Sequence, residues 1–550
     1  MSLFETKTAD NFIFDEAFEP REQDSLNTPF YRKNVSYVID QQAGNGSYAN
    51  GQVIIDSQAI ASSGNFIDWR NAYLTVPKQV LVQVKTNTAL TLSYNNTNTA
   101  RLAVPKNNAQ IATLKVEANG KTIITSTVGL ADLVNLKTLA TNNKSSLEKI
   151  RANELFYPDS SESCAATKAS INNYDKETAG TGLCNFGLVE RQRDFVPVIQ
   201  TSFMSSTNNA NEGRTNVILT NTTSATTSYA DVVDFHYIHV IKLSKLADFF
   251  DKHPISRGVS YRFTILFNQA TSEVPLTDSA THYNIVGTEV RTQISGDSIP
   301  STLCVGLSNN VDITTTTGNT VTLKLTDQID TSANKLMSGI RLYCPSYEMN
   351  PEYQDKLLKQ PPIKKNFMDF LQQQTQTYVG ANSFVNVQVS TSCTNPRALI
   401  VVPRWSTTAT GNGGQGFYSN ASALATVPGA TDALLSLTNM QVKMGANYVL
   451  PDRLFYSFQT FLDHINSVFA YNGGESIVGS GLITKKMFET NHRYFVFDLS
   501  RYPEAMKDLP QMISFEATNN TAVSVELSCY LLYGREAVFD LNAGSLSLTA

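Results

Sequence analysis

The chain has 550 residues, 41% of them hydrophobic and 17% charged, which is enough to bury more than one core and too long for one ordinary domain. Its 43 Lys and Arg against 48 Asp and Glu leave a formal charge of −5, so no general cationic field exists to hold a phosphate backbone, and specific nucleic-acid binding is not expected. The six cysteines, Cys164, Cys184, Cys304, Cys344, Cys393 and Cys529, are scattered without a C-x-x-C pair and read as reduced thiols, and no apolar run is long enough to suggest a membrane span.

The chain opens on an acidic segment in which Glu5, Asp10, Asp15, Glu16, Glu19, Glu22 and Asp24 face only Lys7 and Arg21. That charge does not suit a signal peptide. Within it Phe12, Ile13, Phe14 and Phe18 form a compact apolar cluster, the expected assembly contacts of an arm over 1–35. Downstream, "QVIID", "YLTVP", "YRFTILF", "ALIVVP" and "YFVFDL" are short runs rich in β-branched and aromatic residues, separated by Gly/Asn/Ser clusters. They predict strands and an all-β architecture of the sandwich or barrel kind. Helical periodicity is confined to 128–140, 243–253 and 456–469, read as accessories to sheets. "NPEYQDKLLKQPPIKK", with its charges and Pro361-Pro362, interrupts the strand pattern. The expected division is a first β unit over 36–348, a linker over 349–366, and a second unit with a C-terminal tail over 367–550.

The two halves repeat one another. "YLTVP", ending at Pro77, matches "LIVVP", ending at Pro403, and at the same offset "IATLKVEANGKTII" (111–124) matches "LTNMQVKMGANYVL" (437–450). "HYIHVIKLSK" (236–245) then matches "HRYFVFDLSR" (492–501), and a helical stretch follows in both copies. Collinear order and a shared strand-to-helix succession indicate two tandem copies of one β fold. The interval from Val116 to His236 is much longer than that from Val442 to His492. Its excess is polar, as in "SSTNNANEGRTNVILTNTTSATTSYAD", so an insertion within 141–230 is expected on the surface.

Two motifs suggest chemistry and fail on context. His236 and His239 form His-x-x-His, but successive side chains of a strand alternate faces, so the two rings cannot share an ion. Phe495 stands at the matched place of His239, which suits packing. "GNGGQG", Gly411–Gly416, fits G-x-G-x-x-G, yet five residues separate it from the preceding strand and no good helix follows. A surface loop is expected there. No nucleophile elbow, Walker loop or H-E-x-x-H occurs, so no catalytic, cofactor-binding or metal-ligating residues are expected and the chain is read as a non-enzyme.

The stretches at 45–77, 239–250, "GIRLYCPSYEMNPEYQDKLL" (339–358) and "SGLITKKMFETNHRYFVFDLSR" (480–501) resemble the major capsid proteins of polinton-like viruses and virophages. The resemblance implies a double jelly roll, two eight-stranded sandwiches in one chain. It further implies homotrimers forming pseudohexagonal capsomers of an icosahedral shell around a double-stranded DNA genome. Neighbouring capsomers, penton and minor capsid proteins would be the partners, in a virion assembled inside the infected host cell. The family has no catalytic residues to carry over. A tandem β-sandwich glycan-binding or spike module is the alternative; it calls for exposed aromatic platforms, whereas Trp69 and Trp405 both sit in strand-like contexts.

Overall fold

The computed structural model describes residues 30–40, 52–86, 90–94, 101–102, 111–124, 130–154, 156, 221–223, 230–267, 270–277, 290–291, 304–306, 311–314, 320–330, 337–378, 382–405, 436–450, 455–468, 481–490, 492–500, 502, 510–520 and 525–549. In chain order the elements are β1 (Phe30–Ile39), β2 (Gln52–Asp56), α1 (Gln58–Ala61), β3 (Phe66–Ile67), β4 (Tyr73–Thr86), β5 (Leu90–Tyr94), β6 (Arg101–Leu102), β7 (Ile111–Ala118), β8 (Lys121–Ile124), α2 (Leu130–Thr141) and α3 (Lys144–Glu154). There follow β9 (Asn221–Thr223), β10 (Ala230–Lys242), α4 (Leu243–Leu246), α5 (Asp248–Asp251), β11 (Tyr261–Phe267), β12 (Ala270–Thr277), β13 (Val290–Arg291), β14 (Cys304–Gly306), β15 (Val311–Thr314), β16 (Thr320–Ile329), β17 (Arg341–Met349) and α6 (Pro351–Leu358). The remainder holds β18 (Ile363–Tyr378), β19 (Ser383–Cys393), β20 (Pro396–Trp405), β21 (Leu437–Met444), β22 (Asn447–Tyr448), α7 (Phe458–Val468), α8 (Lys485–Thr490), β23 (Phe495–Asp498), β24 (Gln511–Asn519), β25 (Val525–Asp540) and β26 (Ser545–Thr549).

The sheet topology repeats. In the first unit β1, β17, β4 and β10 neighbour one another in that order, and β2, β11, β7 and β8 form the opposing sheet. In the second unit the orders are β18-β25-β20-β23 and β19-β24-β21-β22. If the strands common to both units are ranked along the chain, the two units share one pairing scheme: first strand beside last, and the remaining strands in the same positions. That scheme is the antiparallel, double-Greek-key order of an eight-stranded jelly roll. The all-β, tandem jelly-roll expectation therefore holds.

Local chemistry explains the strands. In β11, Tyr261, Phe263, Ile265 and Phe267 are buried while Arg262 is exposed, the period-two pattern of a sheet with one face in a core. Val53 and Ile55 of β2, Leu114 and Val116 of β7, Leu74 and Val76 of β4 and Leu342 and Cys344 of β17 complete that core. Asn119 and Gly120 turn β7 into β8 with φ of 46° and 79°, the left-handed pair that a two-residue hairpin requires. In the second unit Leu399 and Val401 of β20, Phe515 of β24 and Leu527 and Leu531 of β25 fill the equivalent space.

Each repeated motif falls on the same strand of both units: "YLTVP" and "LIVVP" on β4 and β20, the next pair on β7–β8 and β21–β22, the third on β10 and β23. The last two pairs also match face for face, since Val116 and Val442, and Ile241 and Phe497, all point into their cores. The first pair does not. Leu74 faces the inner core, whereas its matched residue Ile400 lies on the outer face and Leu399 and Val401 point inward. A one-residue slip reverses every side chain in a strand, and the shared proline had set the register wrongly.

The insertions also differ from expectation. Within 141–230, α3 is no surface loop: Leu147 and Phe156 are buried against the second unit. A second excursion, between β11 and β17, holds β12–β16, where β16 pairs with the far end of β4 and β12 with β16. The helix expected over 243–253 is two short ones, α4 and α5, broken at Ala247, whose φ of −146° and ψ of 138° are extended.

A buried seam joins the units. From the first, α2 and α3 lay Leu133, Leu136, Leu139, Ala140 and Leu147, with Phe156 just beyond α3, onto the outer face of the second unit's sheet, at Ala398, Ile400, Val402, Tyr530 and Leu532. From the second, Phe367, Phe539, Leu541 and Leu546 enter the first unit's core, where Phe249 meets the rings of Phe367 and Phe539 at 5.3 and 5.9 Å. Polar ties cross it too: Tyr530 donates to Asp132 Oδ2 at 2.6 Å, Arg535 to the Ile123 carbonyl at 2.8 Å, and the Met368 amide to Asp248 Oδ2 at 2.9 Å. A cavity of about 70 Å³ remains among Leu133, Val134, Phe249, Phe367 and Leu532.

Candidate assembly surface

The outer face of the second unit's β18-β25-β20-β23 sheet is covered by helices; on the corresponding face of the first unit Thr75, Gln79 and His236 are buried, and among the described residues the exposed part lies along β1. On β1 the odd-numbered residues point outward, leaving Val35 at 52%, Tyr37 at 54% and Ile39 at 39% exposure. Tyr37 lies opposite Tyr343 of β17, and Tyr343 opposite Tyr73 of β4. Tyr73 stacks on Tyr343 with centroids 5.2 Å apart and planes 16° from parallel, and Tyr37 sits 5.7 Å from Tyr343. Arg341 lies 5.5 Å above the Tyr37 ring. Cation–π and offset ring contacts hold these side chains as a broad aromatic surface rather than as separate mobile groups. Burial and the neighbouring Tyr343 phenol raise the Tyr73 hydroxyl above its ordinary pKa.

Lower on the same face, β3 and α6 close over the sheet, and Phe66, Ile255, Tyr347, Met349 and Leu357 form a small satellite core. Asn350 caps α6 by accepting from the Glu352 amide at 3.2 Å, with Pro351 at its first position. The open area is therefore bounded, and it lies over β1, β17 and the start of β4.

The sequence offered one signal for this surface. "VSYVI" at 35–39 places apolar residues on both parities of the strand, a pattern for burial on two faces rather than one. Tyr73 and Tyr343, apart in sequence, carry no mutual signal. The expected contacts Phe12, Ile13, Phe14 and Phe18 lie outside the described residues, as do the G-x-G-x-x-G loop at 411–416 and most of the polar insertion.

The two motif histidines are placed on opposite faces. His236 stands across from Gln79 on the outer side and its Nδ1 is 2.6 Å from Asp330 Oδ2. His239 stands across from Val76 on the inner side; burial, with the nearby Lys78 charge, pushes it down to about 3. Among the described residues no group of three or more His, Cys, Asp or Glu side chains is arranged to hold a metal ion. Cys344 and Cys529 are buried free thiols, with Cys529 pushed up to about 12 by desolvation, which makes it a packing residue and a poor nucleophile. Trp69 is buried against Tyr261 at 4.7 Å and offers no platform to a ligand. No described helix is long and apolar enough to cross a membrane.

Strand order and seam thus define a double jelly-roll protein whose first unit, among the described residues, exposes an aromatic edge along β1. The structure is similar to that of the Sputnik virophage, with 12% identity over 96% of this chain and 92% of that chain and a TM-score of 0.46. It is also similar to the mavirus major capsid protein, at 11% identity over 94% and 90% of the two chains with a TM-score of 0.41. The Faustovirus major capsid protein matches at 12% identity over 95% and 93%, with a TM-score of 0.44. No family model matches the chain, and no curated protein does.

Proposed function

We propose that the chain is a viral major capsid protein whose activity is self-association into trimeric, pseudohexagonal capsomers of an icosahedral shell around a double-stranded DNA genome. The observation that carries this reading is the fusion of two jelly rolls of identical strand order, locked side by side by a buried seam. Three such chains supply six like wall elements, and six like elements around an axis tile a surface. The sequence resemblance points the same way. Residues before β1 serve as an arm, β1–β17 and β18–β26 as the two wall units, with β1 and β18 starting at Phe30 and Ile363 rather than at 36 and 367, and α6 lies in their connection; penton and minor capsid proteins complete the shell. A capsomer needs no catalytic group, cofactor or metal.

The second reading, a glycan-binding or spike module, draws on the Tyr37, Tyr73 and Tyr343 surface, since stacked phenols can carry sugar rings. Sedimentation equilibrium separates the two. A particle of three 60.4 kDa chains is expected at micromolar concentration, whereas a monomer that binds glycans would displace the capsomer reading.

A further inference from the structure

We infer that the cavity in the seam between the two units is a binding site for a small, uncharged apolar molecule, of about the size of a short alkyl chain, which bridges the units from within. Both units build its walls: Leu133, Val134 and Phe249 belong to the first, and Phe367, Phe370 and Leu532 to the second. Close-packed interiors hold few voids larger than one water molecule, which needs about 10–15 Å³. At about 70 Å³ this one is several times that size. It is roughly half of the ~150 Å³ at which an apolar cavity stays dry and takes benzene or xenon.

The lining selects the ligand. Charged groups at the edge are already engaged within the chain: Asp369 accepts from Arg535 at 2.8 Å, Asp248 accepts from the Met368 amide at 2.9 Å, and Lys245 pairs with Glu154. Lys137 donates to the Ser244 carbonyl at 3.3 Å and stands 3.8 Å from Asp248. An ionic ligand would have to displace one of these pairs, whereas an alkyl group gains from the apolar walls alone. The side chains of Lys137 and Lys245 keep 22% and 20% of their surface exposed, which marks the side of entry. Two wall residues suit an occupant. Ala247, extended between α4 and α5, contributes only a methyl group, and Met368 combines a tethered amide with an unbranched thioether that adapts to its neighbour. A molecule that binds the folded joint and not the unfolded chain stabilises the fold by mass action.

The test uses the full chain, with xenon as the probe. Crystals pressurised with xenon are expected to show a xenon peak among these wall residues, and crystals without the gas to show no ordered water there. In solution the melting temperature is expected to rise with xenon pressure. Ala247→Ile suits the extended backbone at φ −146° and ψ 138° and fills the space, and Val134→Ile adds one methylene from α2. Each variant is expected to lose most of the xenon-dependent shift. Ordered water in the cavity, or no xenon peak under pressure, overturns the inference. So does a shift of equal size in wild type and both variants, because the gas would then act elsewhere. If neither variant folds, the xenon peak in wild-type crystals decides. The site lies within one chain, so monomer and trimer bind alike and the capsomer reading is untouched by either result.

Discussion

Five of the six histidines lie in described residues, and all five are buried. His253 shows how such a ring is satisfied while neutral: Nδ1 donates to the Pro254 carbonyl at 2.5 Å and Nε2 accepts from the Tyr261 hydroxyl at 2.5 Å. Burial pushes His253 to about 3, as it does His239. Both folded values lie below the unfolded value of 6.5, so the unfolded chain binds the extra protons. Their contribution is complete above pH 6.5 and is lost as pH falls from there towards 3, by up to about 1.4 kcal/mol per pH unit per ring. Urea midpoints are expected to drop between pH 7 and pH 4.5, and less steeply in His239→Gln. An equal slope in wild type and variant would remove His239 from the account. A second test at this scale is Tyr530→Phe, which deletes the donor to the buried Asp132 carboxylate across the seam. About 1–3 kcal/mol of destabilisation is expected from urea titration.

At the scale of elements, α2 behaves as a shared part of both units. Its C-terminal end is closed by the other unit: the Leu482 amide donates to the Leu139 carbonyl at 2.8 Å, beside Gly481 with φ of 63°. A Cβ at Gly481 would stand 2.4 Å from the carbonyl oxygens of Leu139 and Ala140. Backbone conformation and space both demand glycine there. Gly481→Ala is expected to lower the melting temperature and to loosen the seam, read as faster proteolysis of native protein between the units; an unchanged melt would show that α2 tolerates displacement. The sequence pattern located this helix within two residues, from 128–140 to Leu130–Thr141. It could not show that the partner surface is the second jelly roll, because residues such as Leu136 and Leu139 look the same whichever sheet buries them.

For the whole molecule, the first described strand begins at Phe30. Deleting residues 1–28 is therefore expected to leave trimers with the wild-type melting temperature. Closed particles are expected to become rare in electron microscopy of protein expressed with its partner capsid proteins. The reason is that Phe12, Ile13, Phe14 and Phe18 would each contribute roughly 1.5–3 kcal/mol when buried on a neighbour, before ordering costs. Normal particle yield would remove the arm from assembly, and loss of the trimer would place these residues in the capsomer itself.

What the sequence determined by itself was the fold class, the doubling and the placement of His236 and His239 on opposite faces, because period-two hydrophobicity, turn residues and strand alternation are local properties of the chain. The repeats on β7–β8 and β10 were legible face for face for the same reason. Tertiary structure alone decided the register of β4 against β20, since period-two patterns cannot distinguish a slip of one where both faces of a strand are buried. It alone decided that α3, polar in composition, belongs to the seam through Leu147, followed there by Phe156, two residues whose burial depends on what lies opposite them. And it alone assembled Tyr37, Tyr73 and Tyr343 into one surface: a sheet brings together strands from distant parts of the chain, and a face becomes a site only once the neighbouring strands are known.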